Sequence, residues 1–463
     1  MTTQSLPPRP STAEMRELFA PRSHWQAWLE IEAALAETQA ELGMIPSAAA
    51  VEIRRKANFE HVDALALGAD IARTRAPIVS LVRALARACD GDAGGYVHWG
   101  ATTQNVMQTA RSWLMRRAHD AFMVRLGDLL LKMAGLAEAS ADTLVAGRTN
   151  FRHGLPITFG FKVAAWIEEF LRHRQRFEGA EARVFAALWG GALGAMHASG
   201  AQGVALNRRL SERLGLTPLA VPSRAGTDYV TEYVLLLALF SASCSKVARE
   251  LYTLMADEIG EVYEDQDEEV VGSSTMPNKV NPKVAVQVIA LAARLRSLTP
   301  LALEAMQPTH EGDGANNQML YALIDQSSPL AYELVCAMDE LLGCIRLVPE
   351  NMRRNLDATG AAMAAENAMM ALAPALGRTR AYEVVKQALA EAARTQGSLV
   401  DLLLAAEAVH GRVDPALVRA ALDPAAYTGR SAGMAHEMAR EARAAAAALM
   451  ARGAAGTSGC VQA

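Results

Sequence analysis

Apolar residues recur at intervals of three and four over long stretches of this chain. From Trp25 to Leu42 the positions Trp28, Ile31, Leu35 and Leu42 predict an amphipathic helix, with Gly43 as its stop. The same period predicts a helix over Ile78 to Arg87 opened by Pro77, and another from Val106 to Ala118. From Trp113 to about Ala141 the positions Leu114, Ala118, Phe122, Leu126, Leu129, Met133 and Leu136 predict roughly eight turns at 3.6 residues each, with Gly127 and Gly135 tolerated inside. Tyr229 to Ile259 has no internal Pro or Gly, and Lys283 to Thr299 should kink or stop at Pro300. After Asn351 the residues shift toward Ala and Met, with Gly377, Gly397 and Gly411 between shorter helical stretches, which predicts a small C-terminal helical domain. Residues 1–15, rich in Pro, Ser and Thr, predict a loose arm. No repeat of 20–50 residues is visible, which removes a solenoid.

Composition agrees with packed helices. Of 463 residues 51% are apolar but only 5% aromatic, with Ala, Leu and Met prominent. The length prior is about three domains. A net charge of −5 with acids and bases interspersed offers no basic stripe for nucleic acid and no polybasic segment for lipid headgroups. The N-terminus lacks a signal-peptide core, and the apolar run around Val234 to Phe240 is far short of the roughly twenty residues that span a bilayer, so a cytoplasmic protein is expected. Five cysteines form no CxxC pair and have no His at ligand spacing, so neither a metal site nor a cofactor is expected.

Three polar stretches carry the candidate chemistry. Gly272-Ser273-Ser274-Thr275-Met276-Pro277-Asn278-Lys279-Val280-Asn281-Pro282 reads as a mobile loop running into a helix, where free N–H groups and the positive helix end attract anions. Tyr96-Val97-His98-Trp99-Gly100-Ala101-Thr102-Thr103-Gln104-Asn105 places four polar side chains directly before a helical pattern. Gly147-Arg148-Thr149-Asn150-Phe151-Arg152-His153-Gly154-Leu155-Pro156-Ile157-Thr158-Phe159-Gly160 reads as another loop entering a helix, and Arg22 sits at the entrance of the Trp25 helix, where it can reach a carboxylate.

The first of these strings meets every fixed position of the aspartase/fumarase superfamily signature, Gly-Ser-Ser-x-Met-Pro-x-Lys-x-Asn-Pro. The second resembles the His-aromatic-Gly-x-Thr-Ser/Thr segment of the adenylosuccinate lyase and 3-carboxy-cis,cis-muconate cycloisomerase branch. The third resembles the superfamily's Gly-Arg-Thr-His-x-x-x-Ala-x-Pro-x-Thr-Phe-Gly segment, departing from it at Asn150 and Gly154. The resemblance implies an all-α protein of three helical domains around a central long-helix bundle: residues 1–111, residues 112–355 with a catalytic loop at 268–283, and residues 356–463. It also implies a homotetramer in which three subunits build each active site, and anti β-elimination from a succinate-like dicarboxylate through an aci-carboxylate. Ser273 is then the base, stabilised as an alkoxide when the loop closes, with Lys279 and Asn281 facing the doubly charged end. Thr102, Thr103 and Gln104 would hold the other carboxylate, with His98, Ser274, Met276, Asn150 and Arg22 as further substrate contacts.

The departures carry the finer expectation. Where amine- and water-eliminating members have an acid His and, five residues after the signature Asn, a Glu that orients it, this chain has Asn150 and Val286. General-acid help is worth about 10²–10⁴-fold, so a leaving group that departs as a stable anion is expected, with nitrite from nitrosuccinate as the lead. Lactonisation of the carboxymuconate type, adenylosuccinate-type C–N cleavage and an inactive helical scaffold remain as alternatives. A substitute acid role for His153 and an Arg-Asp pair formed by Arg224 and Asp228 are left open.

Overall fold

The computed structural model describes residues 9–459 apart from 268, 271 and 272. It is an all-α fold in which the only sheets among the described residues are three two-stranded pairs. The elements that position the site are α1 (Pro21–Glu41), α2 (Pro77–Ala88), α3 (Thr103–Ala139), a hairpin of β1 (Leu144–Thr149) and β2 (Arg152–Thr158), and α4 (Phe159–Val184). They continue as α5 (Asp228–Leu254), β3 (Val262–Glu264), α6 (Val284–Arg296), α7 (Gly314–Cys344), β4 (Ile345–Leu347), α8 (Pro349–Thr359) and α9 (Ser431–Gly459).

Periodicity located most of these helices, with differences that have local causes. The two overlapping patterns between Val106 and Ala141 are one unbroken 37-residue helix, α3. As Pro300 required, α6 ends at Arg296, and a short helix, Thr299–Ala305, restarts with the proline in its first turn. Residues 9–15 are ordered, correcting the expected loose arm: Arg9 forks onto Asp128, Tyr332 Oη donates to the Pro10 carbonyl at 2.6 Å, and Ser11 caps Thr12–Glu17. The stretch expected to be a plain loop before α4 is the β1–β2 hairpin.

The core explains the architecture. One continuous apolar cluster runs from Met15 through Leu29, Leu81, Leu126, Phe170, Leu237 and Leu334 to Leu449, so residues 15–111 share their core with the bundle. A separate small cluster, from Ala368 to Leu422, belongs to the C-terminal helices. Within the C-terminal segment, α9 lies outside that cluster and along α3 and α4. Its Ala439, Ala442 and Ala446 are buried, and Ala446 and Leu449 pack on Gly127, where a Cβ would meet Leu449 Cβ at 3.4 Å. Small residues on both helices permit that close approach. The expectation of no membrane is qualified by α5, long and apolar enough to cross one by length and composition, although 67% of its apolar stretch is buried within the protein.

A polar knot fastens the returning helix. Arg452 on α9 donates to both oxygens of Glu181 on α4 at 2.8 Å, with Arg116 at 3.3 Å and buried His119 at 3.5 Å. Burial opposes ionisation of Glu181, yet His119, Arg116 and Arg452 outweigh it and hold its carboxyl at about 2. A depressed carboxyl contributes stability that is present above its ordinary value near 4.5 and disappears as pH falls toward about 2. Glu181→Gln should therefore cost about 1–3 kcal/mol in urea unfolding at pH 7, and the gap to wild type should close between those two pH values. A gap independent of pH would contradict this.

Candidate active site

The serine loop springs from a closed base. Glu264, the last residue of β3 and 6% exposed, accepts the N–H groups of Lys283 at 2.7 Å, Val284 at 3.1 Å and Ala285 at 2.8 Å. Gln266 Nε2 donates to the Asn281 carbonyl at 2.9 Å and to Glu264 at 3.0 Å, joining the incoming and outgoing strands of the loop. The anion site expected at the start of α6 is thus already filled by a carboxylate of the protein itself. Positive charge near the loop comes instead from the exposed Lys279 and Lys283.

At the tip, Ser273 Oγ accepts the N–H of Met276 at 3.1 Å and that of Thr275 at 3.4 Å. Two backbone donors converging on a serine oxygen favour its charged form. Ser274 and Met276 are exposed, Asn281 is half-buried, and Gly272 lies outside the described residues.

The Gly147–Gly160 stretch is tied to the same base. Arg148 forks onto the fully buried Glu261 at 2.9 and 2.6 Å, and Asn355 of α8 donates to that carboxylate at 2.9 Å. Glu261 lies three residues before Glu264, so hairpin and serine loop share one polar foundation. Asn150 and Phe151 turn the hairpin with φ of 51° and 59°, as a two-residue turn requires. Asparagine tolerates this region well; phenylalanine does not, and Phe151 is 90% exposed. Gly147 is needed because a Cβ there would lie 2.7 Å from the Leu155 carbonyl. His153 Nδ1 pairs with Thr359 Oγ1 at 2.7 Å, and partial burial together with the charge of Arg148 lowers its pKa.

The Tyr96–Asn105 stretch is anchored elsewhere. His98, held at φ 63°, pairs through Nδ1 with Glu32 Oε1 at 2.6 Å; burial alone would lower its pKa, but the bond and charge of Glu32 raise it. Gln39 holds the Trp99 carbonyl at 2.7 Å. Thr102 and Thr103 sit half-buried at the start of α3, and Asn105 Oδ1 accepts the Thr102 N–H at 3.3 Å. Gln104 is otherwise engaged than expected: it is buried, its amide N–H groups reach Gln108 at 2.9 Å and Asn317 at 3.0 Å, and its Oε1 takes the Arg224 Nε–H. Arg224 therefore joins Gln104 and the Ala192 carbonyl at 2.8 Å, whereas Asp228 is an exposed residue in the first turn of α5. Arg22 packs over the Phe59 ring at 5.3 Å.

Reading the sequence missed Glu264, Glu261 and Glu32, each a buried carboxylate whose partner is far along the chain. No local pattern signals a cap supplied from 19 residues upstream, as Glu264 supplies to Lys283.

An all-helical bundle presenting a serine loop and a threonine-led helix start defines a lyase of the aspartase/fumarase type. Residues 9–296 match the family described as Lyase, and residues 361–438 match the adenylosuccinate lyase C-terminus. The chain belongs to the lyase family of the aspartase/fumarase superfamily, within its adenylosuccinate lyase and carboxymuconate cycloisomerase branch. It is 35% identical to adenylosuccinate lyase of Methanothermobacter thermautotrophicus, over 94% of this chain and 98% of that one. It is 31% identical to N-acetyl-S-(2-succino)cysteine lyase of Dickeya dadantii, over 93% and 95%. The solved 3-carboxy-cis,cis-muconate lactonizing enzyme from Pseudomonas putida superposes with a TM-score of 0.84 at 31% identity, over 94% and 97%.

Replacing Glu264 by Ala should free three N–H groups at the start of α6 and lower stability by about 1–3 kcal/mol in urea unfolding. A change below about 0.5 kcal/mol would show that the cap does not hold the loop base.

Proposed function

We propose that this lyase performs anti β-elimination on a succinyl compound whose leaving group departs as a stabilised anion, giving fumarate. Ser273 removes the proton next to a carboxylate, helped by the Met276 and Thr275 N–H groups at its oxygen. Lys279 and Asn281 face the charge that accumulates on that carboxylate, and Thr102 and Thr103 hold the second one. Ser274, Met276 and His98 line the substrate, with His98 fixed by Glu32.

The observation that carries this reading is the missing acid. Asn150, whose amide does not supply a proton, stands where relatives of the superfamily resemblance have His, and Val286, apolar and 46% exposed, stands where the orienting Glu would be. His153 is paired with Thr359 and pushed toward its neutral form, which disfavours it as a substitute. Nitrite from nitrosuccinate meets the requirement. A thiolate from a succinyl thioether also meets it, since thiols ionise near 8.5, and the name of the Dickeya dadantii relative favours that second reading.

Assembly as a homotetramer, with three subunits contributing to each site, is part of the proposal. The stretch Val284–Ala305 has a mean hydropathy of 1.3 with only 28% of it buried in one subunit, and Leu239, Tyr252 and Val286 are exposed, a surface suited to burial against other copies. A cytoplasmic location follows from the same metabolic reading.

Ultraviolet absorbance decides among substrates: fumarate should form from nitrosuccinate or the succinyl thioether and not from adenylosuccinate, while lactone from carboxymuconate or silence with all four would contradict the proposal. Ser273→Ala should abolish turnover with the tetramer intact. Asn150→Ala should cost less than about tenfold in kcat/KM, and a loss of 10²–10⁴-fold would mean that proton donation to the leaving group passes through this position.

A further inference from the structure

Arg224 is a cation without a counter-ion. Its Nε–H is given to Gln104 Oε1 and its Nη1 to the Ala192 carbonyl at 2.8 Å, both neutral acceptors, and among the described residues no carboxylate pairs with it. Asp313, the residue after Gly312, accepts the Ala315 and Asn316 N–H groups at 2.8 and 3.4 Å and the Thr309 hydroxyl at 2.9 Å. Gly312 lies close against the guanidinium face, where a Cβ would come within 3.2 Å of both Cζ and Nη2.

The guanidinium is also held in place. Gln104 is itself locked by Gln108 and Asn317, and Gln108 by the hydroxyl of buried Tyr229 at 2.6 Å. A half-buried guanidinium fixed by neutral groups, with Nη2 directed to no protein partner among the described residues, is preorganised for an anion brought by a ligand. Its partner Gln104 follows Thr103 in the first turn of α3.

We infer that Arg224 is a specificity-determining residue that binds a third anionic group of the substrate, beyond the two succinyl carboxylates, and that Gln104 is its positioning residue. The inference rests on the succinyl elimination proposed above, in which Thr102 and Thr103 take one carboxylate and Lys279 and Asn281 the other. It selects substrates whose substituent or departing fragment bears a carboxylate or a comparable anion.

Calorimetric binding of succinate and of propane-1,2,3-tricarboxylate to the full-length protein tests it. Wild type should prefer the tricarboxylate by about tenfold or more, as one charge-assisted fork allows. Arg224→Gln should reduce that preference below about twofold while succinate affinity moves less than about threefold. Gln104→Glu, which would give Arg224 a carboxylate of the protein's own, should remove the preference in the same way and decides the matter if Arg224→Gln does not fold. Equal binding of both acids to wild type, or a preference that survives both substitutions, overturns the inference while leaving the elimination reading standing. Absence of binding by either acid overturns both.

Discussion

The carboxylate of Glu264, buried at the end of β3, accepts three successive backbone N–H groups where α6 begins, and the placement of the serine loop depends on that contact. A helix start buried without partners would be costly, and a free one would attract any passing anion. Supplying the anion from β3 solves both problems and ties the two ends of the loop to one point. Glu261, on the same short stretch, fixes the hairpin through Arg148, so two of the three signature stretches stand on a single buried acidic foundation. The third stands apart on Glu32 and Gln39 of α1.

This arrangement divides positive potential among side chains and leaves the helix end out of it. Lys279 lies on the loop and Arg224 beside the start of α3, while the Ser273 oxygen receives two N–H groups of its own loop. The hairpin tip carries an amide at Asn150 and an aromatic ring at Phe151, neither of which supplies a proton. On the proposed reading, such a site stabilises negative charge as it develops and leaves the departing fragment to carry its own.

The long helices were legible because their apolar periods are sustained and their ends are marked by Pro77, Gly43 and Pro300, whose backbone preferences act locally. A largely helical class followed from the same residues, and the all-α class from the family resemblance of the three motifs. The hairpin was not legible, since Asn150 and Phe151 both adopt left-handed backbone and only the first belongs to a type that does so readily. Nor was the return of α9 to α3, a long-range packing event carried by alanines that look alike in either cluster. Within the candidate site the motif residues could be named from the chain. The acids that hold them, and the diversion of Gln104 from ligand contact to orienting Arg224, depend on partners as far as 213 positions away.

The most direct test of the central claim, that the departing fragment leaves without a proton from the enzyme, is turnover at saturation across succinyl thioethers whose thiols differ in acidity. The account predicts a rate that falls steeply as the released thiol becomes more basic. A rate insensitive to thiol basicity would reveal a proton donor beside the breaking bond and contradict it.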